Sequence, residues 1–201
     1  MGSKAGWLQL REEAAQCREC PLGERAKQTV WGEGPLRPQL MIVGEQPGDR
    51  EDLVGRPFVG PAGRLLDSAL DDLGWQRSAL YLTNAVKHFA YELRGKRRLH
   101  KTPGQLEILA CEHWLESEIQ AVKPAAIIAL GRVAATALLG RPIRVLTDRG
   151  RWLDRDDGIR VLVTIHPSAL LRTDTAARAS GYRDWLVDLS NATLLLTRVE
   201  T

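Results

Sequence analysis

The sequence has few cysteines, few aromatic residues and little net charge, and it has no long apolar run. Three cysteines in 201 residues cannot all pair within the chain, so we expect a reducing, cytoplasmic compartment and no disulfide framework. No stretch approaches the roughly 18 apolar residues of a transmembrane helix. Met1–Leu10 also lacks an apolar run of signal-peptide length. We therefore expect a protein without a membrane partner.

A net charge of only +3 excludes a polycation that would bind nucleic acid over its whole surface. Electrostatic attraction to nucleic acid has to come from a local cluster. One cluster stands out within residues 94–101, and it consists of Arg94, Lys96, Arg97, Arg98 and Lys101. We predict an exposed basic loop here. By composition alone, such a loop is either a phosphate-binding element or an ordinary charged surface.

The chain has the size and composition of one ordinary globular domain. Of its 201 residues, 44% are hydrophobic and 26% are charged, so it can bury a core without disulfides. No repeat, low-complexity stretch or linker divides the sequence. We therefore predict that residues 1–201 form a single domain.

Short apolar runs alternate with longer stretches of helical periodicity. Four apolar runs are typical of buried strands, at residues 39–44, 79–84, 125–131 and 160–165. Four longer stretches predict helices, at residues 5–16, 62–73, 103–122 and 175–198. Strands alternating with helices predict an α/β fold, a three-layer α/β/α sandwich around a central four-stranded parallel sheet.

Ligands of such folds bind at the carboxyl ends of the strands. The predicted strands end at Gly44–Gly48, Asn84, Gly131 and His166, and three of these four ends carry polar groups that can recognise a ligand. The Gly44–Gly48 loop is not a nucleotide-binding P-loop, because no Gly-Lys-Ser/Thr follows it. Its glycines instead allow the main chain to approach a ligand closely.

Cys17 and Cys20 are separated by two residues, a spacing that brings two thiolates to one metal or cluster. They follow a predicted helix and not a strand, which disfavours a thioredoxin-like redox pair. A pair of buried structural cysteines is the alternative. Cys111 is the third cysteine, and His88 and His113 are the nearest candidates for a fourth ligand. Spacing does not choose between zinc and an iron–sulfur cluster.

Five motifs in one order resemble those of the family 4 uracil-DNA glycosylases. They are Cys17-x-x-Cys20-Pro-Leu, Gly44-Glu-Gln-Pro-Gly48, Gly55-Arg-Pro-Phe58-Val-Gly60, Thr83-Asn84-Ala-Val-Lys87 and His166-Pro167-Ser168. Each is weak alone, but five in the same order between Cys17 and Arg172 are specific. The resemblance implies a uracil-DNA glycosylase-like fold and a DNA-repair hydrolase that excises uracil by glycosidic bond cleavage. It also implies a bacterial cytoplasmic protein that acts at the nucleoid.

Two features depart from the usual family 4 pattern: His88 stands where a cysteine is usual, and residues 94–101 form an insertion. Both departures, together with Gln46 in the first motif, resemble the UdgX subgroup. The resemblance implies a [4Fe–4S] cluster with four ligands, Cys17, Cys20, His88 and Cys111. It also implies that His100 bonds covalently to C1′ of the sugar after uracil leaves, which gives single-turnover behaviour. The expected partner is uracil-containing DNA, with single strands favoured, bound by a monomer.

A uracil inside a duplex can be read only after it is flipped into a pocket. Asn84 is expected to read it, because an amide can accept from uracil N3–H and donate to O4, where cytosine presents the opposite pattern. The alternative for Asn84 is a turn or cap. Phe58 is expected on an exposed loop, stacked on the base, and not in the core. His166 is expected to donate to uracil O2 as charge builds on the leaving base, and a buried histidine bonded to main chain is the alternative.

Glu45, Gln46 and His100 are the candidates for chemistry at the sugar. A neutral imidazole held near C1′ is a better nucleophile than water toward an oxocarbenium-like carbon. Glu45 is expected to orient His100 and to help take its proton, whereas Gln46 holds the same imidazole or contacts uracil. Without the resemblance, His100 would be an ordinary surface histidine.

Gly44 and Asp49 complete the predicted substrate-binding set. The acidic run that contains Asp49, Glu51 and Asp52 is otherwise expected to be a solvated loop. We expect phosphate contacts from six residues, Lys96, Arg97, Arg98, Lys101, Ser168 and Arg172.

Three hypotheses follow from these assignments. The first is a uracil-DNA glycosylase that reacts once and remains cross-linked to DNA. The second is an ordinary glycosylase that turns over with water, in which His100 only contacts DNA. The third is a non-catalytic, iron–sulfur DNA-binding module, which the small net charge and the polar strand ends disfavour.

Overall fold

The structure is a computed structural model that describes residues 4–196, and strands occupy its centre. The strands in this range are β1 (Leu40–Gly44), β2 (Tyr81–Asn84), β3 (Tyr91–Arg94), β4 (Arg97–His100), β5 (Ala126–Leu130), β6 (Arg151–Asp154) and β7 (Arg160–Thr164). Five of them form the central sheet in the order β2-β1-β5-β7-β6, and β3 and β4 form a separate hairpin.

Four neighbouring strands of the central sheet are parallel, which confirms the four strands predicted from the apolar runs. β1 pairs with β2 and with β5, and β5 also pairs with β7. The residues of β1, β2 and β5 are all buried, as expected of parallel strands that are covered on both faces. The register sets Gly44 beside Asn84, so two of the predicted strand ends are direct neighbours.

The sequence prediction missed β6, the fifth strand. It pairs antiparallel with β7 at one edge of the sheet. It begins at Arg151 and ends at Asp154, and none of its residues is buried. β6 therefore lacks the apolar run that marks the other strands, as is common at a sheet edge.

Helices cover both faces of the sheet. They are α1 (Lys4–Ala15), α2 (Pro21–Arg25), α3 (Asp49–Val54), α4 (Pro61–Asp72), α5 (Gln105–Val122), α6 (Arg132–Leu139), α7 (Val145–Asp148), α8 (Pro167–Leu171), α9 (Thr175–Ser190) and α10 (Thr193–Leu196), with a 3₁₀ helix at Arg77–Ala79. One face packs on α4, α8 and α9 through side chains such as Leu66 and Trp185, and the other packs on α5 and α6 through Leu115 and Val133. The three-layer sandwich is confirmed. None of these helices, all within residues 4–196, combines the length and hydropathy that crossing a lipid bilayer requires.

The helices predicted at residues 5–16, 62–73 and 103–122 correspond to α1, α4 and α5. The helix predicted at 175–198 is divided, because α9 ends at Ser190 and α10 begins at Thr193. Residues 197 and 198 of that prediction lie outside the described residues.

The prediction that residues 94–101 form a loop is wrong, because most of them belong to a β-hairpin. β3 and β4 pair antiparallel, with Gly95 and Lys96 at the turn between them. Gly95 has a φ of +61°, which glycine adopts without steric cost in a tight hairpin turn. Tyr91 pairs with His100, so the hairpin fixes the position of the histidine at its base.

Candidate active site

A cavity of about 540 Å³ opens beside the carboxyl ends of β1, β2 and β7. This volume lies within the range of small-molecule sites. The cavity brings together many of the residues predicted from sequence, and it is lined by Gln46, Asp49, Phe58, Asn84, His100, His166, Ser168 and Arg172, among others.

The back of the cavity is formed where β1 and β2 end. Asn84 is only 3% exposed, and no group within residues 4–196 hydrogen-bonds its side-chain amide. A Cβ at Gly44 would lie 2.4 Å from Asn84 Oδ1 and 2.7 Å from Phe58 Cζ. Glycine at position 44 is therefore what allows the amide and the aromatic ring to approach the end of β1.

The glycine and proline residues around Phe58 predict an exposed loop, but Phe58 is buried. Its ring nevertheless lines the cavity. Its φ of +53° is uncommon for a bulky residue. The Arg77 guanidinium holds this turn by donating to the carbonyls of Pro57 and Phe58 at 3.1 and 3.4 Å. The Phe58 ring lies nearly parallel to the His166 imidazole, with 6.5 Å between the ring centroids. The turn thus presents an aromatic ring to the cavity.

His166 caps α8, and its tautomer follows from its partners. The main-chain N–H of Ser168 donates to His166 Nδ1 at 3.1 Å, so Nδ1 carries a lone pair. Burial lowers the pKa of His166 to about 4. The ring is therefore neutral at pH 7 with its proton on Nε2, and it can donate a hydrogen bond.

His100 lies at the mouth of the cavity, where the Gln46 amide holds it. Gln46 Nε2 lies 2.9 Å from His100 Nε2. An amide NH₂ can only donate, so His100 Nε2 must carry the lone pair and Nδ1 the proton. Burial, with a contribution from Arg172, lowers the pKa of His100. The ring is thus neutral, with a lone pair on the nitrogen that faces the first motif.

Glu45 is the carboxylate beside this imidazole. Its Oε1 lies 3.9 Å from His100 Nε2, too far for a hydrogen bond. That oxygen is buried and has no hydrogen-bond partner among residues 4–196. Burial raises the pKa of Glu45, and Arg132 and Arg172 oppose the rise. The geometry favours an electrostatic role for Glu45 over direct proton transfer from Nε2.

The acidic run after Gly48 is not a solvated loop, because it forms α3 and two of its carboxylates are buried. Glu51 accepts main-chain N–H groups of Gly48, Val59 and Gly60 at 3.1, 3.0 and 2.7 Å. It thereby joins the first motif to the Phe58 loop.

Asp52 is fully buried and pairs with Arg98 of the hairpin. The same guanidinium lies 2.6 Å from Asp49 Oδ1 and over the rings of Phe89 and Tyr91. The sequence predicts a phosphate contact for Arg98 and substrate binding for Asp49, but in the structure the two side chains form an ion pair with each other. Their geometry supports a role in holding the hairpin.

The remaining residues predicted to contact phosphate are accessible. Lys96, Arg97 and Lys101 are exposed on the hairpin and just after it. Arg172 is exposed at the rim of the cavity and donates to Ser168 Oγ at 3.3 Å. Of these cations, Arg172 lines the cavity, whereas the others lie on or next to the hairpin that carries His100.

The three cysteines belong to one buried cluster with Trp31 and Trp114. The Trp114 indole N–H donates to Cys17 Sγ at 3.3 Å, and the Lys87 main-chain N–H donates to Cys111 Sγ at 3.2 Å. Burial raises the pKa of Cys111 to about 11, so this thiol ionises at neutral pH only when a metal binds it.

Within residues 4–196, no three His, Cys, Asp or Glu side chains converge closely enough to hold a single metal ion. The ligands of a four-iron cluster bind separate iron atoms, so they need not converge on one point.

His88 has a buried ring nitrogen without a hydrogen-bond partner among the described residues, and its chain neighbour Lys87 contacts Cys111 Sγ. Thr29 donates its hydroxyl to Ala14 O at 2.7 Å, so it must accept at its 2.9 Å contact with His88 Nε2. The His88 proton is therefore on Nε2, and its buried Nδ1 has no partner among the described residues. His113 is half-exposed and paired with Glu19 at 2.7 Å. The donor set fits the predicted cluster through Nδ1 of His88.

Comparison with known proteins decides the family. A family model described as the uracil DNA glycosylase superfamily matches residues 31–190. The chain belongs to the uracil-DNA glycosylase superfamily.

Relatives within the superfamily cover most of the chain. A type-4 uracil-DNA glycosylase from Pyrobaculum aerophilum is 41% identical over 170 residues, which are 81% of this chain and 83% of the relative. One from Thermotoga maritima is 38% identical over 164 residues, which are 81% and 82%. A type-5 uracil-DNA glycosylase from Pyrobaculum aerophilum is 29% identical over 178 residues, which are 75% and 72%. The resemblance to family 4 is confirmed, and membership of the UdgX subgroup stays a prediction.

The sequence prediction does not identify two buried carboxylates of the site, Glu51 and Asp52. It places Glu51 in a solvated loop, although Glu51 stands three residues after Gly48, at the position of a capping-box acid. That spacing could have marked it. Nothing local marks Asp52, because its partner Arg98 is 46 residues away in the chain.

We expect Arg98→Met to destabilise the protein by about 3 kcal/mol, because it leaves the Asp52 carboxylate buried without a counter-charge. Chemical denaturation measures the loss, and limited proteolysis should cut the hairpin of the variant first. Arg94→Met removes an exposed cation from the same hairpin and is the control. Equal stabilities of the two variants would show that the Arg98 pair does not anchor the hairpin.

Proposed function

We propose that this chain excises uracil from DNA and then stays covalently bonded to the sugar through His100. The first step is supported by the relatives of 41% and 38% identity, both named uracil-DNA glycosylases. One observation carries the second step. The neutral imidazole of His100 is held by Gln46 at the mouth of the base cavity, with the Glu45 carboxylate beside it.

Uracil recognition is assigned to Asn84, whose amide is buried at the back of the cavity and free of protein partners in the described chain. It can accept from N3–H and donate to O4 of a flipped uracil. In cytosine, the N4 amino donor would face the amide donor and the N3 lone pair would face the amide acceptor, and buried unpaired groups are costly. Phe58 supplies an aromatic face to the base.

His166 is suited to stabilise the leaving base. Cleavage of the glycosidic bond sends the bonding pair to uracil N1, and the negative charge spreads to O2. Because Ser168 N–H donates to Nδ1, the proton of the neutral histidine is on Nε2. His166 can therefore donate a hydrogen bond to that oxygen.

Capture of the sugar is assigned to His100. Loss of uracil leaves positive charge at C1′, which the Glu45 carboxylate stabilises. The lone pair of His100 Nε2 then forms the bond to C1′ once its contact with Gln46 opens. The resulting imidazolium releases its Nδ1 proton to solvent, which leaves a neutral alkylated imidazole, and the uracil anion takes up a proton from solvent.

DNA is expected to enter along the exposed cations of the hairpin and Arg172. A base must leave its stack before it enters the cavity. This step costs less free energy in single-stranded DNA than in a duplex, so we propose that single strands are favoured. We also propose that a monomer acts, because the described chain supplies every group named in the reaction.

A [4Fe–4S] cluster is proposed on Cys17, Cys20, Cys111 and the unpaired Nδ1 of His88. Bound there, it would supply structural cross-links. Cys17 and Cys20 follow α1, whereas Cys111 lies in α5. The cluster would therefore fix the amino-terminal helix to the layer that covers the sheet.

Turnover with water is the second candidate, and the Glu45 geometry favours it. Its Oε1 is buried without a protein partner among residues 4–196, and such an oxygen can hold a water molecule for attack on C1′. In that case His100 only contacts DNA.

A denaturing gel separates the two candidates after incubation with uracil-containing single-stranded DNA. We expect a shifted band that survives heat and detergent, and we expect His100→Gly to abolish it. His166, the other histidine that lines the cavity within residues 4–196, has its proton on Nε2 and its Nδ1 lone pair bonded to Ser168 N–H. His113→Gly alters a half-exposed histidine elsewhere and should keep the band. Free abasic DNA released over many turnovers would establish the water reaction, and uncleaved DNA would contradict both candidates.

Adduct formation should be insensitive to mild acid. The pKa of His100 is lowered by burial, so its neutral form persists below the usual value of about 6.5. The single-turnover rate should stay constant from about pH 8 to pH 6.5 and fall only in more acidic buffer. Ionic strength has to be held fixed, since phosphate contacts are salt-sensitive. A rate that already halves near neutral pH would contradict a nucleophile that is neutral at pH 7.

Metal analysis tests the cluster. The purified protein should contain about four irons per chain, and His88→Ala should lose iron because one ligand atom is removed. His113→Ala, its matched control, should retain iron. One zinc and no iron would refute the cluster, and equal iron in the two variants would refute His88 as a ligand.

A further inference from the structure

A buried ion pair lies behind the residue assigned to read uracil. Lys87 Nζ lies 2.6 Å from Glu118 Oε2, and the two side chains are 1% and 0% exposed. Buried ion pairs add little stability over an apolar pair of the same volume, because desolvation of both charges is costly. Stability alone is therefore a weak reason for this pair.

The carboxylate of Glu118 is saturated with donors. Oε1 accepts from the main-chain N–H of Gly32 at 2.9 Å and from Tyr81 OH at 2.8 Å. Oε2 accepts from Thr83 Oγ1 at 2.7 Å and from Lys87 Nζ. Its orientation is thus fixed by groups from three separate segments, and it holds Lys87 in one position.

The ammonium group of Lys87 has three hydrogens, and each has an acceptor. Besides Glu118, these are Thr83 Oγ1 at 2.9 Å and the main-chain oxygen of Asn84 at 2.7 Å. The Trp31 ring lies below the charge, 5.3 Å from Nζ. Lys87 is therefore fixed, and one of its bonds goes directly to the main chain of the uracil reader.

That bond completes the anchoring of one peptide group. On one side, Ala85 N–H donates to Gly44 O at 2.9 Å, as sheet pairing requires. On the other side, β2 is the edge strand of the sheet, and Lys87 Nζ is the donor to Asn84 O. Glu33 bridges the outer side of β2 at Leu82, whereas Lys87 supplies the donor at Asn84. The orientation of this peptide sets the direction of the Asn84 side chain, so Lys87 fixes that direction.

We infer that Lys87 is a positioning residue for uracil recognition: its ammonium group fixes the main chain of Asn84, and Glu118 is the counter-ion that keeps this group in the core. The inference rests on the proposed excision of uracil. A purely structural role for the pair is the competing explanation, and the two make opposite predictions for a pair of variants.

Glu118→Gln keeps the bond to Asn84. The new amide can still accept from Gly32 and Tyr81, and Lys87 Nζ can still donate to Asn84 O. Lys87 then lies in the core without its counter-charge, so this variant should be less stable than wild type. The double variant Lys87→Met/Glu118→Gln buries no charge and lacks the donor to Asn84 O. It should be more stable than Glu118→Gln.

Three measurements on each full-length variant test the inference: Tm, binding to DNA without uracil, and the single-turnover rate of uracil release at saturating single-stranded DNA. We expect Glu118→Gln to lose Tm but to release uracil within about threefold of wild type, since the positioning bond remains. We expect the double variant to regain Tm, to bind uracil-free DNA within about twofold, and to release uracil at least about tenfold more slowly. Stability and rate thus change in opposite directions.

Arg155→Met provides a second control, because the buried Arg155 guanidinium forms a partly exposed ion pair with Glu116 outside the cavity. It should lower Tm without changing the rate. If the double variant releases uracil like wild type, or if the rates of all variants simply follow their Tm, Lys87 is structural and the inference is wrong. If wild type releases no uracil, the proposed function fails, and the role of Lys87 in reading uracil fails with it.

Discussion

Parallel pairing of β1 with β2 is the interaction on which the site depends, because its register sets Gly44 beside Asn84. A slip of one residue would turn alternate side chains to the other face of the sheet and would move the amide out of the cavity. The same edge receives His166 from the end of β7. There Gly131, with a φ of +88°, lets the chain approach His166, since a Cβ on it would lie 3.1 Å from His166 Cβ. The sheet therefore determines both ends of the base site.

The sheet does not supply His100, which reaches the cavity on a hairpin anchored at two points. The Gln46 amide accepts from Ala90 N–H at 2.9 Å and donates to Lys101 O at 2.9 Å, so it joins the first motif to both ends of the hairpin. Arg98 adds the second anchor on α3. A candidate nucleophile held in this way has a defined position before substrate binds, which lowers the entropic cost of attack.

Local sequence patterns predicted the parallel strands, the main helices and the polar strand ends, because buried strands and amphipathic helices have distinct periodicities. They failed where a structure depends on distant partners. The hairpin looked like a loop because a run of cations concealed the alternation of its strands. Asp52 looked solvated because its partner Arg98 is far away in the chain. Phe58 looked exposed among glycine and proline, although Arg77 folds its turn inward. Lys87 and Glu118 belong to no chemical motif and become visible only in the folded core.

Three buried or partly buried histidines carry three different assignments, and each is set by a neighbour whose hydrogen-bonding role is unambiguous. Ser168 N–H places the His166 proton on Nε2, the Gln46 amide leaves a lone pair on Nε2 of His100, the proposed nucleophile, and Thr29 leaves one on Nδ1 of His88, the proposed ligand atom. Lys87 acts in a similar way on the main chain. Its N–H donates to Cys111 Sγ and its ammonium group donates to Asn84 O, so one residue links the proposed cluster to the proposed uracil reader. Oriented hydrogen bonds, more than the identity of the titratable residues, therefore differentiate the roles within this site.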